Sequence, residues 1–363
     1  MMNDETMCRL ALQFLPSIGG ATVKKLLCHY GSAAAIFADK SKSSPLFRRG
    51  APLVLSEEIL QQVKEEYQWM QSQNIKICFY TDSDYPRRLK NCYDSPYLFY
   101  YQGENIFNER RMVAVVGTRA VTPYGKEVTR RLIEELQPYR VCIVSGLAYG
   151  VDTVAHEQAL NSGMKTIAVM GSGFKMIYPA ENKKLAMRIL EDGGALVTEF
   201  PYHTKPDRQN FPQRNRIIAG LCEATVVMET AAKGGSIITA QIANSYNRDV
   251  FAVPGSIFAP ASEGCNQLIR KNIAAVVTSG TEIAEMMGWD IPQQTSIQRS
   301  FFVELNEEER KVFEMIEQTS NMSIDDILVA LPQYSPSKIA ALLLQLELKG
   351  IIHCTPGKCY KAL

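Results

Sequence analysis

The sequence predicts an α/β protein: a Rossmann-like, doubly wound and mostly parallel sheet, with an N-terminal helical domain before it and a winged-helix-like domain after it. Three observations carry this. Six short β-branched runs between residues 112 and 255 alternate with glycine-containing loops and amphipathic stretches. Those runs are apolar almost without interruption, which suits strands covered on both faces and therefore a parallel sheet. Outside that region the apolar spacing is largely helical. A chain of 363 residues is also too long for one ordinary core and suggests two or three domains.

Residues 1–75 show helical periodicity in LALQFLPSIGGATVKKLLCHYGSAAAIF, broken by Pro16 and by Gly19-Gly20. Helix, glycine turn, helix is the pattern of a helix-hairpin-helix (SAM-like) domain, whose turn can present amides to a phosphate. It is equally the pattern of a plain structural hairpin, the commoner case. Residues 76–288 form the expected Rossmann-like domain, with strands at MVAVVG (112–117), VCIVSG (141–146), TIAVMG (166–171), ALVTEF (195–200), ATVVME (224–229) and DVFAVPG (249–255). Residues 289–303 are polar and read as a linker. Residues 304–363 give three helices and a hairpin, the order of a winged helix. Ser323 with Asp326 suggests a capping box, and Ser335-Pro336 a helix start. The third of these helices offers only Lys338 and Lys349, so packing is expected of it rather than base reading.

Charge balance gives no global clue, with 39 basic against 38 acidic residues, so an anion-binding surface must be a local patch. A hydrophobic fraction of 46% excludes general disorder. The nine cysteines contain no Cys-x-x-Cys pair, and the four histidines do not join them at metal spacing. Neither metal nor cofactor is expected. Free cysteines suit a reducing compartment. With no leader pattern and no apolar run of about 18 residues, a cytoplasmic protein without membrane association is expected.

In a parallel α/β sheet, ligands sit beyond the carboxyl ends of the strands. The loop GTRAVTPYG (117–125) offers Gly117 for close backbone approach, the hydroxyls of Thr118 and Thr122, and the planar fork of Arg119. SGLAYGVDTVAH (145–156) brings Gly146, and GSGFKMIYP (171–179) a further glycine loop. KGGSIITA (233–240) places Lys233, Gly235 and Ser236 before a helix, a natural phosphate nest. FPYHTKPDRQNFPQRNR (200–216) sets Lys205, Arg208, Arg214 and Arg216 against Asp207 alone, with Asn210, Phe211 and Asn215 among them. A solvated basic loop explains the charge but not Phe211. Charge that tracks a backbone, with an aromatic for a base to stack on, is the pattern of single-strand nucleic-acid binding. Arg214 and Arg216 cannot both face the ligand, because residues two apart on a helix point different ways. One is expected on the DNA while the other braces the loop through Glu199 or Glu229.

Catalysis has less support. Asp152 and His156 could share a helix face as acid and base, but a structural histidine is the better reading. Neither G-x-G-x-x-G nor G-x-x-x-x-G-K-[ST] occurs, so dinucleotide binding and ATP hydrolysis are not indicated.

These loops, in this order over residues 112–255, resemble the DprA/Smf family, the DNA-processing proteins of bacterial natural transformation. YTDSDYPRRLKNCYDSPYLFYYQG (80–103) is similar to that family's entry to the Rossmann domain. The resemblance implies a non-enzymatic protein that binds and protects incoming single-stranded DNA, loads the RecA recombinase on it, and forms homodimers. It implies that Arg119 is the pocket arginine of the GTR motif and that Arg208 and Phe211 contact DNA. The chain departs from the pattern at GGS, where SGS is common, and at Cys222, where serine is usual. The competing class is a nucleotide-processing enzyme of the lysine-decarboxylase-like phosphoribohydrolase type, whose PGGxGTxxE motif does not occur in this sequence.

Overall fold

The computed structural model describes residues 4–16, 18–39, 55–291, 305–319, 322–355 and 359–362. Helices α1 (Glu5–Phe14), α2 (Gly20–Tyr30), α3 (Ala33–Ala38) and α4 (Glu57–Ser72) come first. Asp4, Ser32 and Ser56 cap three of them through side-chain oxygens. Their apolar faces bury Leu10, Leu12, Val23 and Leu26 together with Phe79, Leu98 and Tyr100 of the sheet's first two strands. The helices and that edge of the sheet therefore share one core.

The described residues form a nine-stranded sheet: β1 (Lys76–Phe79), β2 (Leu98–Gly103), β3 (Met112–Val116), β4 (Cys142–Ser145), β5 (Thr166–Val169), β6 (Ala195–Thr198), β7 (Ala224–Val227), β8 (Asp249–Ala252) and β9 (Ala275–Val276). Their order is β1-β2-β6-β5-β4-β3-β7-β8-β9. Pairing is parallel from β6 through to β9 and antiparallel at β1–β2 and β2–β6. All six strands expected from the apolar runs are present, and β3 to β7 are buried along their whole length. Helices α5 (Arg87–Lys90), α6 (Pro123–Leu136), α7 (Val151–Asn161), α8 (Lys183–Glu191), α9 (Asn210–Leu221), α10 (Gly235–Ser245), α11 (Glu263–Arg270) and α12 (Gly280–Met286) fill the connections. The sheet grows one way from β3 through β4, β5 and β6, and the other way through β7 and β8. The neighbourhood of β3 is thus the topological switch point, where a crevice opens beyond the strand ends.

Residues 293–363 form a second compact unit. It contains α13 (Glu307–Gln318), β10 (Met322–Ser323), α14 (Ile324–Ala330), α15 (Pro336–Leu348), β11 (Ile352–Thr355) and β12 (Cys359–Ala362), with sheet order β10-β12-β11. Three helices with a terminal hairpin make a winged helix. Ser323 and Asp326 form the capping box, and Ser335 caps α15 with Pro336 in its first turn. Lys338 pairs with Glu308 and Lys349 with Glu309, each at 2.7 Å. From residue 292 onward, the linker expected at 289–303 lies outside the described residues.

Candidate nucleic-acid interface

The carboxyl ends of β3, β4 and β7 open onto a cleft of about 340 Å³. Gly117, Thr118 and Arg119 enter it from the loop after β3. Ala148 and Asp152 come from the β4 side, Thr230, Ala231, Gly235 and Ser236 from the β7 side, and Phe211, Arg214 and Asn215 from α9. Residues more than a hundred positions apart meet here because parallel strands deliver every following loop to the same edge.

Arg214 forms the buried floor and is only 4% exposed. Its Nη1 donates to the carbonyls of Gly146 and Val169, at the ends of β4 and β5, and its Nε donates to Asn215 Oδ1 at 3.1 Å. A Cβ on Gly146 would lie 2.4 Å from that guanidinium, so the position requires glycine. Burial pulls Arg214 down to about 10, with the charge of Asp152 opposing and that of Arg119 adding to the pull, so it stays cationic at neutral pH. Asp152 is held by the amides of Gly146 (3.2 Å) and Ala148 (3.3 Å); burial raises its pKa and Arg214 works against that rise.

Arg216 does not reach the cleft. It lies two residues further along α9 and points away, donating to the Glu199 carboxylate and to the carbonyl of Asp94. Its expected place among the DNA contacts is corrected to that of a brace, and Glu199 is the partner. Glu229, the other candidate partner, holds the β3 loop instead. It accepts from Thr122 N at 2.9 Å and from Thr122 Oγ1 at 2.6 Å. Thr122 Oγ1 also accepts from Gly125 N, capping α6. Its hydroxyl proton is therefore engaged by protein, and Thr122, also expected on the ligand, shapes the loop that carries Arg119.

Phe211 stands in the first turn of α9, half-buried. The Arg119 guanidinium carbon lies 4.8 Å from its ring centroid and that of Arg214 lies 5.9 Å away. Tyr178 is tilted against the ring at 6.1 Å. A Cβ on Gly171 would come within 2.9 Å of the ring, so this glycine makes room for it. On the β7 side of the cleft, α10 begins at Gly235 without a side-chain cap; the Ile237 amide donates to the Gly234 carbonyl at 3.2 Å, and the amides of Gly235 and Ser236 remain for an outside acceptor. The hydroxyl of Ser236, a residue 6% exposed, has no hydrogen-bond partner among the described residues. Arg119, Lys205, Arg208 and Lys233 are exposed. Asn210 donates to the Lys205 carbonyl at 3.3 Å, bracing the approach to α9.

Periodicity did not reveal how this approach is held. Tyr202 N donates to Glu66 Oε1 at 2.8 Å, the Tyr202 ring stacks on Trp69 at 4.7 Å, and Gln13 Nε2 donates to the Glu199 carbonyl at 2.8 Å. The N-terminal helices thus fix the segment between β6 and α9. Burial pushes the Glu66 carboxyl up to about 7.

Acid–base chemistry finds no footing at His156. Thr166 Oγ1 donates to the Ile143 carbonyl at 2.8 Å, so His156 Nδ1, 2.8 Å from the same hydroxyl, is the donor to it. Burial and the Arg214 charge pull the ring down to about 3, which keeps it neutral. Among the described residues, Cys78, Asp82 and Asp84 lie close enough together to hold a metal. Asp82, however, pairs with Arg9 at 3.0 Å and accepts from Phe79 N, and burial pushes the Cys78 thiol up. Among the described residues no helix is long and apolar enough to cross a membrane.

Residues 76–288 match the family model described as DNA recombination-mediator protein A, and residues 303–358 match the DprA winged helix domain. Protein Smf of Escherichia coli (strain K12) is 35% identical over 293 residues, which cover 80% of this chain and 78% of that protein. The DNA processing protein DprA of Streptococcus pneumoniae is 44% identical over 202 residues, 56% of this chain and 71% of that one. Among solved structures, the X-ray structure of S. pneumoniae DprA superposes with a TM-score of 0.63 at 32% identity, covering 78% of this chain and 96% of that one. The DNA processing protein A of Helicobacter pylori, solved for its single-stranded DNA binding mode, gives a TM-score of 0.54 at 27% identity, over 60% and 97% of the two chains. By sequence, by domain order and by fold, this chain belongs to the DNA recombination-mediator protein A (DprA/Smf) family.

Proposed function

We propose that the strand-end cleft binds single-stranded DNA and that the chain acts by binding, without bond-breaking chemistry. The observation that carries this reading is one aromatic ring, Phe211, set beside the fixed charge of Arg214 and the exposed charge of Arg119, in the same cleft as the uncapped start of α10. A base stacks on the ring, Arg119 and the α10 amides take phosphates, and Arg208 and Lys233 extend the basic rim. The single-stranded DNA binding described for the H. pylori protein supports it. Nucleotide hydrolysis has no such support, because Asp152 and His156 are held by separate structural partners. Titration with oligo-dT and with duplex of equal length tests the reading. The single strand should bind more tightly with little sequence preference, since stacking needs an unpaired base. Equal affinity at moderate salt would contradict it.

The family's description as a recombination mediator supports a further step, in which a homodimer protects the strand and loads RecA on it. The winged helix is assigned no large share of DNA affinity. Lys338 of α15 and Lys349 at its C-terminal cap are paired with glutamates, and Leu344 and Leu348 on that helix are exposed, which suits protein contact. Truncation after Met287 should leave oligonucleotide affinity within a few-fold of the full chain; a much larger loss in a direct titration would overturn this assignment.

A further inference from the structure

We propose that the strand does not end at the first cleft but continues along the outer face of α6, where Lys126 and Arg130 bind its phosphates; this rests on the single-strand reading of the first cleft. A second cleft, of about 620 Å³, opens beside the first, and Arg119 lines both. The passage between them therefore runs over a single guanidinium. Lys126 and Arg130 line one wall of the second cleft, and Tyr149 and Thr153, where α7 begins, line the other. Being four residues apart, the two cations share one face of α6, about 6 Å apart along its axis. From Arg119 onward they continue a row of positive charge that begins beside the aromatic ring, the pattern of a groove that tracks a nucleic-acid backbone.

Opposing charge is present but committed or weak. Glu181 accepts a hydrogen bond from Tyr149. Arg130 meets Glu127 at 4.0 Å, with both side chains largely in solvent, and such a pair contributes little. Among the described residues Lys126 makes no ion pair. Glu157 also lines the groove and limits how strongly it attracts an anion, which fits a path taken up after the first cleft is filled. A solvated helix face would explain two exposed cations on α6. It would not explain their facing a groove that shares Arg119 with the first cleft.

Oligo-dT of increasing length separates the two sites. The Lys126→Gln/Arg130→Gln protein should match wild type on oligomers short enough to occupy the first cleft alone. On longer ones it should bind more weakly, with the log–log salt slope reduced by about 0.7 for each lost contact. The charge-keeping Lys126→Arg/Arg130→Lys protein should keep wild-type length dependence. Wild-type affinity and slope at every length, or equal weakening at every length, would overturn the α6 path. Arg119→Ala on the shortest oligomers reports on the first cleft separately: no weakening there would sink the underlying reading.

Discussion

Arg214→Ala should lower the stability of the N-terminal unit by about 3–5 kcal/mol, the usual result of removing one partner from a buried charged arrangement. The side chain ties the ends of β4 and β5 together through the carbonyls of Gly146 and Val169 and sits beside the buried charge of Asp152. Alanine leaves those carbonyls without their donor and that carboxylate without its counter-charge. Lysine is no remedy, since a point charge cannot reproduce the planar fork. Asp152→Asn in the Arg214→Ala background should recover part of the loss, because the amide oxygen can still accept from Gly146 and Ala148. Chemical denaturation of the three proteins checks this; an Arg214→Ala protein within about 1 kcal/mol of wild type would refute the structural role.

Phe211→Ala should weaken oligo-dT binding by about 1–3 kcal/mol, roughly 5- to 150-fold, if a base stacks on this ring. Arg119 already rests on it, so magnitudes decide which group keeps the place. An exposed cation–π contact contributes about 0.5–1 kcal/mol, less than a stacked base. On the proposed reading, a base would displace the guanidinium, which would turn to the neighbouring phosphate, so that one event fills the ring and frees the cation. Circular dichroism and the affinity itself are the measurements. A folded variant with wild-type affinity would show that the base stacks elsewhere, with Tyr178 the nearest alternative ring.

Six of the seven parallel strands were legible because strands buried on both faces leave continuous apolar runs, and the glycine loops at their ends announced where the cleft would open. β1 was not, since this four-residue antiparallel edge strand carries a mixed pattern, and the two residues of β9 leave almost none; β2, buried over Leu98–Tyr101 and paired on both sides, lies outside the repeating alternation of strand, glycine loop and helix. Gly117, Arg119, Phe211 and Ser236 could be gathered into one cleft because the sheet's parallel order delivers them to the same edge. Side-chain direction was beyond reach. Spacing showed that Arg214 and Arg216 must part company, but only the fold shows Arg216 on Glu199 and Glu229 on Thr122. The brace from Glu66 and Trp69 to Tyr202 joins positions more than 130 residues apart, and local propensity carries no signal for such a contact.

The central claim, that one cleft holds a phosphate at Arg119 and a base at Phe211, is tested most directly by oligo-dT affinity across a salt series for wild type, Arg119→Ala and Phe211→Ala. Losing a phosphate contact on a single strand removes about 0.7 from the log–log salt slope, whereas losing a stacked base leaves the slope nearly unchanged. Arg119→Ala should therefore lose most affinity at low salt and give a shallower line, while Phe211→Ala should give a line parallel to wild type and below it. An unchanged slope for Arg119→Ala together with wild-type affinity for a folded Phe211→Ala would contradict the account.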